Sequence, residues 1–167
     1  SAASGAIAAT VITSPLFSFR WAPGTGQLCL VRRVTFNAVC TTGPTAAQSL
    51  GWDLVAARQF TASDSAGTAI NPANVAVTST GKARTNLQNS VLTDARIATT
   101  GTLTAGTRVL DSQPLNSQYV WVGATTAGVG TMVVNTNMLS SSSGDYPLVL
   151  QNNEGFIIRL ALATVIM

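Results

Sequence analysis

The chain has no histidine, a single lysine (Lys82) and a single glutamate (Glu154), and only 9% of its 167 residues are charged. An ordinary globular domain carries about 25%. Each shortage excludes something. Without histidine there can be no Ser–His–Asp or Cys–His nucleophile and no His-bearing zinc site. The two cysteines, Cys29 and Cys40, cannot close a tetrahedral thiolate site alone. They fall in one strand-like run, QLCLVRRVTFNAVC, which if unbroken would hold them about 36 Å apart on opposite faces at ~3.3 Å per residue. A disulfide needs Cα atoms within about 7 Å, so free thiols and a reducing cytoplasm are expected. A Ser–Lys pair would have to use Lys82, in a loop-like segment with nothing to desolvate it. No stretch reaches the ~18 uninterrupted apolar residues of a membrane span; the nearest, FIIRLALATVIM, carries Arg159. The N-terminal SAASGAIAATVITS lacks the basic region and long apolar core of a signal peptide. An initial Ser is what removal of an initiator Met leaves.

Paired carboxylates are the catalytic option left, since glycan hydrolysis needs only two acids about 5–9.5 Å apart. The acids are Asp53, Asp64, Asp94, Asp111, Asp145 and Glu154. They are scattered, form no DxD or DxE cluster, and mostly sit in turn contexts, so no catalytic residue is assigned. For calcium, ASDSAGT and SSSGDYP each offer a single carboxylate, which an Asx-turn explains better. No metal or cofactor is expected. GTGQ, GTLTAGT and GVGT lack the GK[ST] ending and a following helix, so they are not phosphate loops. The net charge of +3 could suit nucleic acid. The only basic cluster, however, is Arg32–Arg33, which strand alternation sends to opposite faces. Direct nucleic-acid binding is not expected.

Strands are what the chain does contain. LFSFRW (16–21) alternates. From Leu28 an apolar face runs Leu28, Leu30, Val34, Phe36, Ala38 and Cys40, with Arg33, Thr35 and Asn37 opposite and Arg32 out of pattern. LGWDLVAARQF puts Leu50, Trp52, Leu54, Ala56 and Phe60 on one side. RIATT, YVWVGA, GTMVVNTNML, YPLVL and GFIIRLALATVIM follow. Short strands between Gly/Pro/Asn/Ser turns predict an all-β antiparallel sandwich of the jelly-roll type. Residues 1–14 read as an N-terminal arm, 15–167 as one domain, and about 61–95 as a long loop or short-helix insertion. YPLVLQNNEGFIIRLAL reads as a hairpin, with Asn153 and Gly155 supplying positive φ and Glu154 a solvated turn residue. Phe156, Ile158, Leu160 and Leu162 share a face that Arg159 avoids. Trp52 and Trp121 are expected in core or interface, and Trp21 on an edge strand. The alternative reading of the three tryptophans is a carbohydrate-binding aromatic platform.

So little charge predicts a chain that is covered by neighbours. Val31, Val55, Ile157 and Val165 fall outside the core alternation and are expected on outer faces, buried in a closed homo-oligomer. The N-terminal arm suits contact with a neighbouring copy.

Taken together, SPLFSFRW, LVRRVTFNAVCTT, DLVAARQFTASDSAGTA, LTDARIATTGTLTAGTRVLDSQPL and YPLVLQNNEGFIIR resemble, in order, motifs of the jelly-roll decoration (cement) and small virion structural proteins of tailed bacteriophages. The resemblance implies a non-enzymatic head-surface protein made in the host cytoplasm. It implies assembly as a dimer or trimer and attachment to the major capsid protein, with no membrane or nucleic-acid partner. The alternative is a tail protein that binds a host glycan receptor.

Overall fold

The computed structural model describes residues 13–23, 26–40, 47–70, 94–99, 101–124, 132–140 and 146–163. Eleven strands are present: β1 (Pro15–Trp21), β2 (Cys29–Val31), β3 (Arg33–Cys40), β4 (Gln48–Arg58), β5 (Thr68–Ile70), β6 (Ala95–Ile97), β7 (Val109–Leu110), β8 (Asn116–Val122), β9 (Met132–Ser140), β10 (Leu148–Leu150) and β11 (Glu154–Ala163). Every pairing among them is antiparallel. No helix occurs among the described residues. The chain is therefore all-β, as its alternation predicts.

A seven-stranded sheet runs β5-β6-β1-β11-β4-β7, with β8 also on β4; two ladders, β2–β10 and β3–β9, are separate. The pairings β1–β11, β2–β10, β3–β9, β4–β8 and β5–β6 nest inside one another along the chain. The β4–β11 and β1–β6 contacts then close the large sheet. One core joins the large sheet to both ladders. Phe19, Trp52, Leu54, Phe156 and Ile158 of the sheet share it with Val34, Met138 and Leu150 of the ladders. The Phe36 and Trp52 rings meet across the layers at 5.5 Å.

The far face of the large sheet is covered too. From Gly51 to Ala57 every residue of β4 is buried, and so is Gly155–Ile158 of β11. Val55, Ile157 and Phe60 are 0–1% exposed yet stand apart from the shared core. Arg20 shares its side of β1 with Ser18, and it reaches the carbonyls of Phe60 and Thr61. The 59–67 loop therefore lies over this face. The 101–108 loop is bound to it by Thr61 N–H to the Thr107 carbonyl and by a two-way bridge between Ser65 and Thr104. Val55 and Ile157 are thus not outer-face residues awaiting a partner subunit. A strand covered on both sides is apolar on both sides, and the run LVAA in β4 with FII in β11 has that form.

Several other expectations need correction. The run from Leu28 is not one strand. It breaks at Arg32, with β2 pairing to β10 and β3 to β9. The break resets the alternation. Cys29 and Val31 pack on the core, while Leu28 and Leu30 are exposed. Val34, Phe36 and Ala38 still face inward, as expected. Val31 is a core-packed residue, not an outer one. Because Arg32 lies outside both strands, Arg32 and Arg33 are exposed together. Trp21 is buried on β1, an internal strand between β6 and β11, and its Nε1 donates to the Gln27 carbonyl at 3.0 Å. Of the two places expected for Trp121, core or interface, its exposure excludes the core.

YPLVLQNNEGFIIRLAL is not a hairpin either. Its first strand, β10, belongs to a ladder and its second, β11, to the large sheet. The turn between them is a corner joining the layers. It closes with the Glu154 N–H donating to the Gln151 carbonyl at 3.1 Å, and Asn153 has the expected positive φ, 61°. Gly155 does not; it is a glycine because a Cβ there would strike the Phe19 carbonyl oxygen. Within the proposed 61–95 insertion, Thr68–Ile70 and Ala95 are strand, while 71–93 lies outside the described residues. Of the expected arm, Thr13 and Ser14 are hydrogen-bonded to Leu160 of β11; residues 1–12, Lys82, Asp145 and Val165 lie outside the described residues.

Candidate functional site

The acids were the natural place to look for chemistry, and the fold separates them. Asp53 on β4 is paired with Arg159 on β11 at 3.3 Å and accepts from Ser117 Oγ at 2.6 Å. Asp94 holds Arg20 at 3.1 Å and accepts from Ser63. Asp111 meets Arg58 at 2.9 Å on the surface, which pushes the Arg58 guanidinium up from its ordinary pKa. Asp64 has a fully buried side chain paired with nearly buried Arg108, and it accepts the Gly106 N–H at 2.8 Å. The Arg108 guanidinium also lies 5.0 Å from the centre of the Phe60 ring, and burial pushes its pKa down. Asp64 is therefore a latch inside the loop layer and not a turn carboxylate facing solvent.

Glu154 resolves in the same direction. Its Oε2 accepts the Gln151 N–H at 2.8 Å, pinning the corner turn. It borders a polar notch of about 400 Å³ with Arg58, Gln59, Gln151 and Asn152. Arg58 directs its ion pair across to Asp111. No group of three or more acids and cysteines fit to hold a metal occurs among the described residues. Each described aspartate has its own arginine, and Arg20, Arg58 and Arg159 lie 53 to 106 residues from their partners along the chain. Nothing local in the sequence marks such pairs.

Cys29 is a free thiol, and partial burial raises its pKa.

Two regions expose large apolar side chains outside the core. One is the outer side of the β2–β10 ladder. Leu30 and Val149 are cross-strand partners that both point outward, and exposed Leu28 immediately precedes β2. Tyr146, 94% exposed, precedes β10. The inward residues Cys29, Val31, Leu148 and Leu150 pack with the core, and the outward leucines and valine lie outside it. Sequence alternation missed this region because both sides of the ladder are apolar.

The other region is on β8. Tyr119 and Trp121 share one side of the strand, and Trp121 is 69% exposed. The Tyr119 ring lies over Gly51, where a Cβ would come within 2.6 Å of it. β8 pairs with β4 alone among the described strands.

No protein-family model matches this chain, and neither a curated protein nor a solved structure proves similar to it.

Proposed function

We propose that this chain is a structural protein of a bacteriophage virion, a capsid decoration or cement protein. It assembles as a dimer or trimer and docks on the lattice of the major capsid protein, at the head surface. The fold we assign is a jelly roll. What supports that is the nesting of β1–β11, β2–β10, β3–β9, β4–β8 and β5–β6, since a jelly roll is a long antiparallel ribbon rolled into two packed sheets. One feature departs from the simple form: β5–β6 extends the sheet of β1 instead of joining the ladders.

The observation that carries the function is the exposed apolar face of β2–β10, standing on a chain with only 9% charged residues. Patches of this kind mark protein interaction surfaces. Oligomerisation then turns several weak contacts into one strong attachment. The test is co-sedimentation of the purified protein with phage heads that lack it, with light scattering of the protein alone. Saturable binding at a fixed ratio to capsid subunits is the expected result. A folded protein that leaves the heads bare would overturn decoration, and closed shells formed by the protein alone would make it the coat itself.

A second reading has its own observation. Tyr119 and Trp121, side by side on β8, form an aromatic platform of the kind that stacks on sugar rings, which favours a tail protein binding a host glycan. Retention on a host-glycan array, lost in Trp121→Ser, would establish that reading in place of the first.

A further inference from the structure

On the side of the large sheet that faces away from the ladders, three zones follow one another along β4 and β11. Val55 and Ile157 lie under the 59–67 loop, Asp53 and Arg159 come next, and then Gly51 and Ser49. β8 adds Ser117, Tyr119 and Trp121 to this side, as the cross-strand partners of Asp53, Gly51 and Ser49. The covered apolar end thus gives way to an ion pair, and the ion pair to two exposed rings. Tyr119 and Trp121 stand two residues, or about 6.6 Å, apart on one strand. The Tyr119 ring is seated on Gly51, where any side chain would collide with it, and Ala161 flanks the same glycine.

The size of this surface limits what can cover it. Tyr119 is 54% and Trp121 69% exposed. Of the roughly 150–250 Å² that such a side chain can bury, this leaves on the order of 250 Å² open for the pair. A stable protein contact takes ~800 Å² from each partner, and the small neighbours Ser49, Gly51, Ser117 and Ala161 do not extend the apolar area towards that. A second copy of this chain is therefore a poor occupant. Nucleic acid would stack on the rings, but its phosphates need cations, and Arg159 is already paired with Asp53. A sugar chain suits both the rings and their border. A pyranose offers an apolar C–H face about as large as one aromatic ring, with hydroxyls around its edge. On the border, Ser117 Oγ donates to Asp53 and is free to accept, while Arg159 bonds Asp53 through Nε and Nη2 and its Nη1 donates to no described residue. The ion pair has no net charge, so it gives no preference for an anionic chain.

We infer that this strip is a binding site for a neutral hexopyranose chain, stacked on Tyr119 and Trp121 with its hydroxyls towards Ser117 and Arg159. The inference rests on the glycan reading of the same rings, and not on decoration. It adds the class of glycan and the polar edge that reads it.

The experiment titrates the full chain with cellohexaose, maltohexaose and chitohexaose, and with acidic hexagalacturonate, and screens it on an array of neutral and acidic glycans. Tryptophan emission is the readout. Trp21 and Trp52 are buried, so a shift to shorter wavelength on binding reports Trp121. The expected result is saturable binding of a neutral chain with that shift. Trp121→Ser should lose about tenfold or more in affinity, as when an aromatic anchor is removed. Ser117→Ala should lose about threefold, for one neutral hydrogen bond. Gly51→Ala, whose methyl group displaces the Tyr119 ring, should also bind more weakly although it touches no sugar. Leu30→Ser, on the ladders, should bind as wild type. Urea midpoints establish that each variant is folded; Tyr119→Leu replaces Gly51→Ala if its midpoint falls. If only acidic chains bind, and Trp121→Ser abolishes that, the glycan reading stands and the neutral class is wrong. If a neutral chain binds Trp121→Ser as well as wild type, the site is elsewhere and the inference is overturned. If Trp121→Ser instead loses self-association in sedimentation equilibrium, a second copy covers the rings and the inference is again overturned. If no glycan on the array is retained, the inference and the glycan reading fall together, and decoration is untouched.

Discussion

The central strands and the ladder strands use the same residues to opposite ends. In β4 and β11, consecutive apolar side chains are buried on both sides, by the shared core on one and by the 59–67 loop on the other. In β2 and β10, consecutive apolar side chains are buried on one side and exposed on the other. Leu54–Val55 and Leu30–Val31 look alike as dipeptides. Only what lies beyond the second face separates a structural residue from one free to meet a partner. Charge follows the same division. In the loop layer Asp64 and Arg108 are buried as a pair, whereas Arg32 and Arg33 beside the ladders are exposed.

Four measurements can break this comparison, beginning with the largest effect. Asp64→Ala leaves Arg108 buried without its counter-ion, and should cost about 3–5 kcal/mol in urea unfolding. Asp111→Ala, at the exposed Arg58 pair, should leave the midpoint unchanged. Equal losses would mean that the loop layer is not closed over Asp64.

Next is the apolar contrast. Ile157→Ala should cost roughly 2–5 kcal/mol, as for any fully buried large-to-small change. Leu30→Ala should stay within about 0.5 kcal/mol. A small loss at Ile157 would show that the second face of the sheet is open.

Gly155→Ala forces a methyl group against the Phe19 carbonyl, and overpacking of this kind costs typically 1–3 kcal/mol. An undisturbed midpoint would show that β1 and β11 can separate locally.

The smallest effect concerns Cys29, whose thiol pKa is raised by burial. In a Cys40→Ser background, iodoacetamide should label it more slowly than a free cysteine peptide at pH 8, with the rate climbing only above the ordinary thiol range. The folded form favours the protonated thiol. Its contribution to stability is therefore present below the unfolded pKa and lost as pH rises through the folded one. Labelling at the peptide rate would place Cys29 in solvent.

Much of the strand layout was legible. β1, β4, β8 and β9 lie within a few residues of where alternation and turn residues put them. The inward set Phe156, Ile158 and Leu160 is as expected, with Arg159 on the other side. The phase of β2 was not legible, because one residue between strands, Arg32, exchanges inside for outside and leaves no compositional trace. The corner at Gln151–Glu154 has the residues of a hairpin turn, and only pairing partners distinguish the two. Among the candidate acids, Glu154 was placed in a turn and is in one. Asp64 was assigned to an Asx-turn, and its burial was not foreseen, because its partner Arg108 arrives from a separate loop.

By itself the sequence determined an all-β antiparallel chain without histidine chemistry, since strand alternation and composition are properties of neighbouring residues. Tertiary structure alone decided which arginine neutralises each aspartate, that Val55 and Ile157 are buried within the chain, and that Leu28, Leu30 and Val149 are left facing outward. Those outcomes depend on contacts between segments far apart in the chain, and on the phase in which each strand enters its sheet. A local pattern with a period of two residues is the same in either phase.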